Sequence, residues 1–260
     1  MKRYFVIWLK LTGITTQIAF QSRFGAIVFL LGKILRFAFF LFFLVLVTQK
    51  TQLIAGYTTW QILFFYATFN LIDTLPQFFL REVYRFRWQV VSGHFDTILT
   101  RPISPLFRSL FGGSDVLDIS ILFLSIIFIF IAGSHIGQIT GIQILLYIML
   151  IINAFIIALA FHITVLGMGI LTTEVDNTIM LYRDLTQMGR VPIDVYLEPL
   201  RGLITFIIPV GIMMTFPVKA MMGLLSPETI VISFAIAAVF LLLSLQFWNY
   251  SLKHYASASS

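Results

Sequence analysis

Long apolar runs separated by short polar stretches set the pattern of this chain, in place of the strict alternation of a strand or the one-sided stripe of a surface helix. Strong runs cover Phe24 to Thr48, Thr58 to Leu80, Val116 to Gly133, Ile142 to Leu171, Gly202 to Val218 and Ile230 to Tyr250. A run of about 20 apolar residues crosses a hydrocarbon core about 30 Å thick. The pattern therefore predicts an all-α polytopic membrane protein with six transmembrane helices. The fifth run is short and broken by Pro209 and Gly211, while the sixth opens with Ser226-Pro227-Glu228, an N-cap serine, a proline and an acid in the first turn. Ahead of the first run, Tyr4 to Phe24 mixes apolar residues with Lys10, Gln17, Gln21 and Arg23, which suits an N-terminal helix lying in the membrane interface. Lys33 and Arg36 fall inside the first run, so its deep part is set at Phe37 to Val47. The resulting division is an interfacial helix over 1–24, a transmembrane domain over 25–250 with a cytoplasmic segment at 81–113, and a tail over 251–260. A second polar stretch, Thr172 to Arg201, has a helical centre around Thr178 to Met188 and a breaker at Val191-Pro192.

Composition sharpens this picture: 59% of the 260 residues are hydrophobic and 11% charged, which leaves lipid as the main solvent. The formal charge of +6 sits in particular loops, so lipid is the expected partner and nucleic acid is not. One side collects Lys2, Arg3, Lys10 and Arg23, then Arg81, Arg85, Arg87, Arg101 and Arg108, then Arg183, Arg190 and Arg201, and finally Lys253. Lys50 and Lys219 fall on the other. The positive-inside bias thus places both termini in the cytoplasm. With no cysteine, disulfides, thiolate metal sites and cysteine nucleophiles are excluded. No cleavage site follows Met1-Lys2-Arg3, so the first segment is expected to be retained.

Chemistry-bearing residues are few. The segment Arg81 to Gly113 mixes bases, aromatics and turn residues, fitting a surface helix ended by Pro102 and Pro105 that serves either as an anionic-lipid anchor or as a docking element. Asp73, with Asn70 on the same helical face, fits a translocation path or proton relay, or else an interhelical hydrogen bond or a contact with Lys33 or Arg36. His162, with Asn153 and Thr164 in the same run, reads as structural hydrogen bonding; Glu174 and Asp176 read as acids at the inner boundary. The histidines His94, His135, His162 and His254 lack metal-ligand spacing, no nucleophile elbow is present, and the chain has no glycine-rich phosphate loop of its own. No metal, cofactor or catalytic residue is expected in this chain.

The string from Gly93 to Phe107, Gly-His-Phe-Asp-Thr-Ile-Leu-Thr-Arg-Pro-Ile-Ser-Pro-Leu-Phe, resembles the signature of bacterial type-2 ABC exporter permeases of the drug and viologen exporter group. A second likeness covers Pro192 to Tyr196, Leu200-Arg201, Phe206 to Val210 and Phe216-Pro217, although Val191 stands where the family often has tyrosine. The resemblance implies a permease subunit of an ATP-driven exporter in the bacterial cytoplasmic (inner) membrane, carrying a hydrophobic or amphipathic substrate. It implies two partners, an ATP-binding cassette ATPase subunit that binds ATP and Mg, and a second permease subunit in a homodimer or heterodimer joined through the first and fifth spans. It also implies that Arg85 to Leu99 is the coupling helix, with Phe86, Trp88 and Phe95 filling the ATPase cleft, Gly93 within the motif, and Arg85, Arg87 and Asp96 setting the register. An ion-coupled secondary carrier using Asp73, Glu174 or Asp176 is the competing reading, separated by whether transport follows a proton gradient without ATP.

The charge bias makes a direct prediction. Single cysteines placed in 49–57, 134–141 or 219–227 should react with an impermeant reagent in intact cells, whereas one at Gly93 should not; labelling at Gly93 would invert the topology.

Overall fold

A computed structural model describes residues 2–51 and 53–256. All of its regular elements are helical, and among the described residues four helices are long and apolar enough to cross a membrane: Arg23–Thr51, Val116–Gly133, Gly141–Thr172 and Pro227–Lys253. In chain order the α-helices are α1 (Lys2–Ala19), α2 (Arg23–Thr51), α3 (Thr59–Phe79), α4 (Phe86–Val91), α5 (His94–Leu99), α6 (Pro105–Leu110) and α7 (Ile119–Gly133). They continue as α8 (Gly141–Thr172), α9 (Val175–Gln187), α10 (Leu200–Gly202), α11 (Val210–Met214), α12 (Phe216–Met221) and α13 (Pro227–Lys253). Part of the C-terminal tail, 257–260, lies outside the described residues.

Local sequence explains the boundaries. Thr58 and Gln61 bond reciprocally across the start of α3, Thr140 and Gln143 do the same for α8, and the Ser226 hydroxyl accepts from the Thr229 amide where Pro227 opens α13. Small residues let the long helices approach: Ala154 and Ala158 of α8 and Ser233 and Ala237 of α13 are buried, and the Asn153 amide donates to the Ser233 carbonyl at 3.2 Å. Aromatics fill the space between α2, α3 and α7, where Phe37 packs on Tyr66 and Phe128, and the Tyr66 hydroxyl donates to the Phe37 carbonyl at 3.2 Å.

The two ends of the bundle differ in kind. At one end the 81–113 segment folds into a compact platform of short helices, and α1 lies against it. Tyr4 meets Phe107 edge-on at 4.6 Å, Arg3 donates to the Pro102 carbonyl at 3.0 Å, and the Ser114 amide donates to the Thr12 hydroxyl at 3.1 Å. Gly113 permits this approach, since its φ is +116° and a Cβ there would come within 2.8 Å of the Leu11 carbonyl.

The polar stretch after α8 does not remain at the platform end. Val175 is packed beside Gly169 and Phe86 at that end, and Tyr182 lies against Phe161 and His162 of α8. Further along, the Arg190 guanidinium sits over the Phe40 and Phe69 rings, at 5.4 and 6.0 Å, and Asp194 reaches Tyr57 just before α3. Asp194 and Arg201 therefore belong to the far end, which corrects the reading of 172–201 as a segment of one side. The expected fifth span, 202–218, is equally corrected: it is a hairpin, descending through the π-helical turn Leu203–Ile207 and returning through α11 and α12, so that a Cβ on Gly211 would lie 2.9 Å from the Thr205 hydroxyl. Val210 to Met214 are all buried in protein, so their apolarity reflects protein packing in a short hairpin.

Gly113→Ala should strain the backbone and push α1 off the platform at a cost of about 2 kcal/mol. A lowered unfolding midpoint of the detergent-solubilised chain, together with new labelling of a Thr15→Cys probe, would report it; unchanged values would contradict the close-approach account.

Candidate functional site

The platform is built around one carboxylate. Glu82 is buried in the 3-10 turn Arg81–Arg85 that follows α3; it accepts from the Gln89 amide at 2.6 Å and from the Arg108 guanidinium at 2.9 Å. These two bonds tie α4 and α6 to the end of α3. Gly112 closes over the group, where a Cβ would collide with the Glu82 carboxylate.

The stretch expected as a single surface helix, Arg85 to Leu99, is two short helices hinged at Gly93, whose φ of +72° makes the turn. This arrangement sorts the residues named from the sequence. Phe86 and Phe95 are both 0% exposed, packed edge-on at 5.1 Å and set against Trp248 and Tyr255 of the C-terminal segment. They hold the platform together from inside and are not available as anchors for a partner. Trp88 is the opposite case, 64% exposed, and Arg85, Arg87 and Val91 are exposed around it. Arg87 reaches Asp176 on α9 at 3.4 Å. Asp96 lies half-buried in the first turn of α5.

A second polar assembly runs along α2, α3 and α9. Asn70 is buried and its amide donates to the Tyr66 carbonyl at 2.8 Å, so it serves the helix itself. Asp73 is half-buried and accepts from the Gln77 amide at 2.9 Å. Neither Lys33 nor Arg36 forms an ion pair with it: Lys33 bonds Asp118 at the start of α7, and Arg81 pairs with Asp115 at 3.7 Å. Asn70 and Asp73 face a cavity of about 280 Å³ that includes Arg36, Tyr66, Phe69 and Arg190. Arg36 also lines a larger space of about 540 Å³ with Lys33, Gln77, Arg81 and Arg183. Arg183 and Arg190 escaped the sequence reading as path residues because 172–201 was assigned to one side. A signal was present: Asp176, Arg183 and Arg190 recur every seven residues, which is one stripe of a helix.

His162 is buried, its Nδ1 bonded to the Ala158 carbonyl at 2.7 Å, with Tyr182 at 5.0 Å, consistent with a structural role. At the far end the Tyr57 hydroxyl donates to Asp194 at 2.9 Å and the Lys219 ammonium donates to the same carboxylate at 2.7 Å. Burial first, and the Asp194 carboxylate next, push the Tyr57 phenol above its ordinary range and keep it a donor.

Two assemblies are thus on the page: a platform offering tryptophan and arginine at one end, and a cation-rich groove between α2, α3 and α9. In comparison with known proteins, a family model described as "ABC-2 family transporter protein" matches residues 34–259. No curated protein matches the chain in a sequence comparison.

Removing the central carboxylate tests the account of the platform. Glu82→Ala leaves Arg108 buried without its partner and should destabilise the folded chain by roughly 3 kcal/mol. The effect should appear as a lower unfolding midpoint, followed by the fluorescence of Trp248 in a chain whose other tryptophans are replaced; an unaltered midpoint would show that Glu82 does not organise the platform.

Proposed function

The chain belongs to the ABC-2 family of transporter proteins, and on that premise we propose that it is the membrane-spanning permease subunit of an ATP-driven exporter of hydrophobic or amphipathic substrates. In this reading it crosses the membrane six times, through α2, α3, α7, α8, α9 with the turn at Met188–Arg190, and α13. Val175 to Arg190 extends roughly 24 Å as helix at about 1.5 Å per residue, and the extended stretch to Asp194 completes the distance. Reassigning Arg201 to the far end still leaves the platform end richer in lysine and arginine, which keeps both termini cytoplasmic and suits the inner membrane. The groove of α2, α3 and α9 is then half of a path closed by a second permease subunit.

The observation that carries the proposal is the exposed Trp88, with the exposed Arg85 and Arg87 just before it, on an internally packed base. Tryptophan and arginine are the residues that most often dominate protein interfaces. Energy enters here from a separate ATPase that binds ATP and Mg, and the chain needs no catalytic site of its own. Phe86 and Phe95 act indirectly, by fixing the shape on which Trp88 stands.

Trp88→Ala combined with Arg87→Ala should leave the permease inserted yet weaken ATPase association by about 2 kcal/mol or more, with a parallel fall in substrate-stimulated hydrolysis. Co-purification from membranes checks it. A lipid anchor predicts altered membrane behaviour with ATPase binding intact, and full association of the double variant would remove the coupling role.

A further inference from the structure

The groove holds more positive charge than it neutralises. Lys33 is answered by Asp118 and Arg81 by Asp115. Arg36, Arg183 and Arg190 are left, and no ion pair among the described residues includes any of them. Arg36 and Arg190 line one cavity with a single carboxylate, Asp73, whose side chain already takes the Gln77 amide, and Arg183 shares the adjoining space with Arg36. Three guanidinium groups beside one carboxylate leave an excess of two positive charges along the groove.

Three features show how that excess is held. Arg190 sits over the faces of Phe40 and Phe69, which orient a guanidinium without cancelling its charge. The smaller cavity beside it has an aromatic wall of Phe39, Phe43 and Phe69 as well as the polar Asn70 and Asp73. The larger space opens from the same Arg36 toward Arg183. One wall therefore suits a hydrocarbon or ring system and the adjoining wall suits an anion. Guanidinium is the side chain best shaped for the paired oxygens of phosphate, sulfate or carboxylate.

We propose that the groove between α2, α3 and α9 binds an amphiphile with an anionic headgroup, seated on Arg36, Arg183 and Arg190, with its apolar part against Phe39, Phe40 and Phe43. Asp73 sets the spacing of the arginines and prevents their mutual repulsion from opening the site. A cationic amphiphile of the same shape is excluded by the same field. The inference rests on the permease reading for its meaning as a substrate class, while the site itself stands on the charge arrangement.

The test uses the full chain in nanodiscs of phosphatidylcholine, without an ATPase, with empty nanodiscs subtracted. Radiolabelled dodecyl phosphate should bind saturably and about tenfold or more tighter than dodecyltrimethylammonium. Arg36→Gln with Arg190→Gln should abolish that preference, and Arg36→Lys with Arg190→Lys should preserve it. Inorganic phosphate should compete only weakly. Equal or tighter binding of the cationic amphiphile overturns the proposal, as does undiminished anion binding in a glutamine variant that unfolds at the same temperature. Complete displacement by inorganic phosphate at equal concentration would mean a site for a small anion and would equally overturn it. If the glutamine variant does not fold, the selectivity of the unmodified chain decides. Anion-selective binding alongside a failed Trp88 test would leave the site in place and remove the transport reading.

Discussion

Charge in a layer of low dielectric has to find a partner or a wet cavity, and the layout of this chain follows from how that constraint is met. Lys33 is carried well inside a lipid-length helix because Asp118 meets it at the start of α7. Glu82 is buried because Gln89 and Arg108 close on it, and that closure draws two short helices onto the end of α3. Where no such partner is supplied, as for Arg36, Arg183 and Arg190, the helices leave open space and line it with the charges.

The far end obeys the same rule with a different outcome. Asp194 takes a phenol from the segment before α3 and an ammonium from α12, so one carboxylate joins the returning hairpin to the outer rim of the bundle. The hairpin is irregular backbone whose Val210 to Met214 are enclosed by protein.

Much of the fold was legible in the sequence because lipid exposure is written directly into hydropathy. Runs beginning at Phe24, Val116, Ile142 and Ile230 face lipid over much of their length and read correctly as helices able to span. Residues 202–218 were misread as a single spanning helix for the same physical reason. Hydropathy reports whether a residue avoids water, and it does not distinguish lipid from protein interior. Val210 to Val218 are apolar because they are enclosed, while Arg183 and Arg190 are charged where they line a cavity. Which residues of the stretch 85–99 form its surface was not legible. Aromatics at Phe86, Trp88 and Phe95 carry equal weight in a sequence, and only the turn at Gly93, together with the contacts of Trp248 and Tyr255, separates the two that face inward from the one that faces out.

Those contacts bear on the order in which the molecule is made. Phe86 and Phe95 come early in the chain, whereas Trp248 and Tyr255, which cover them, lie in and just after α13 and are synthesised well after them. Segments generally fold as they are synthesised, from the N-terminus onward, yet this one waits for its lid until α13 has been inserted. A nascent chain therefore carries an unfinished platform, and its completion coincides with completion of the bundle. The position of a few aromatic rings thus makes the finished platform a record of whether α13 has been placed.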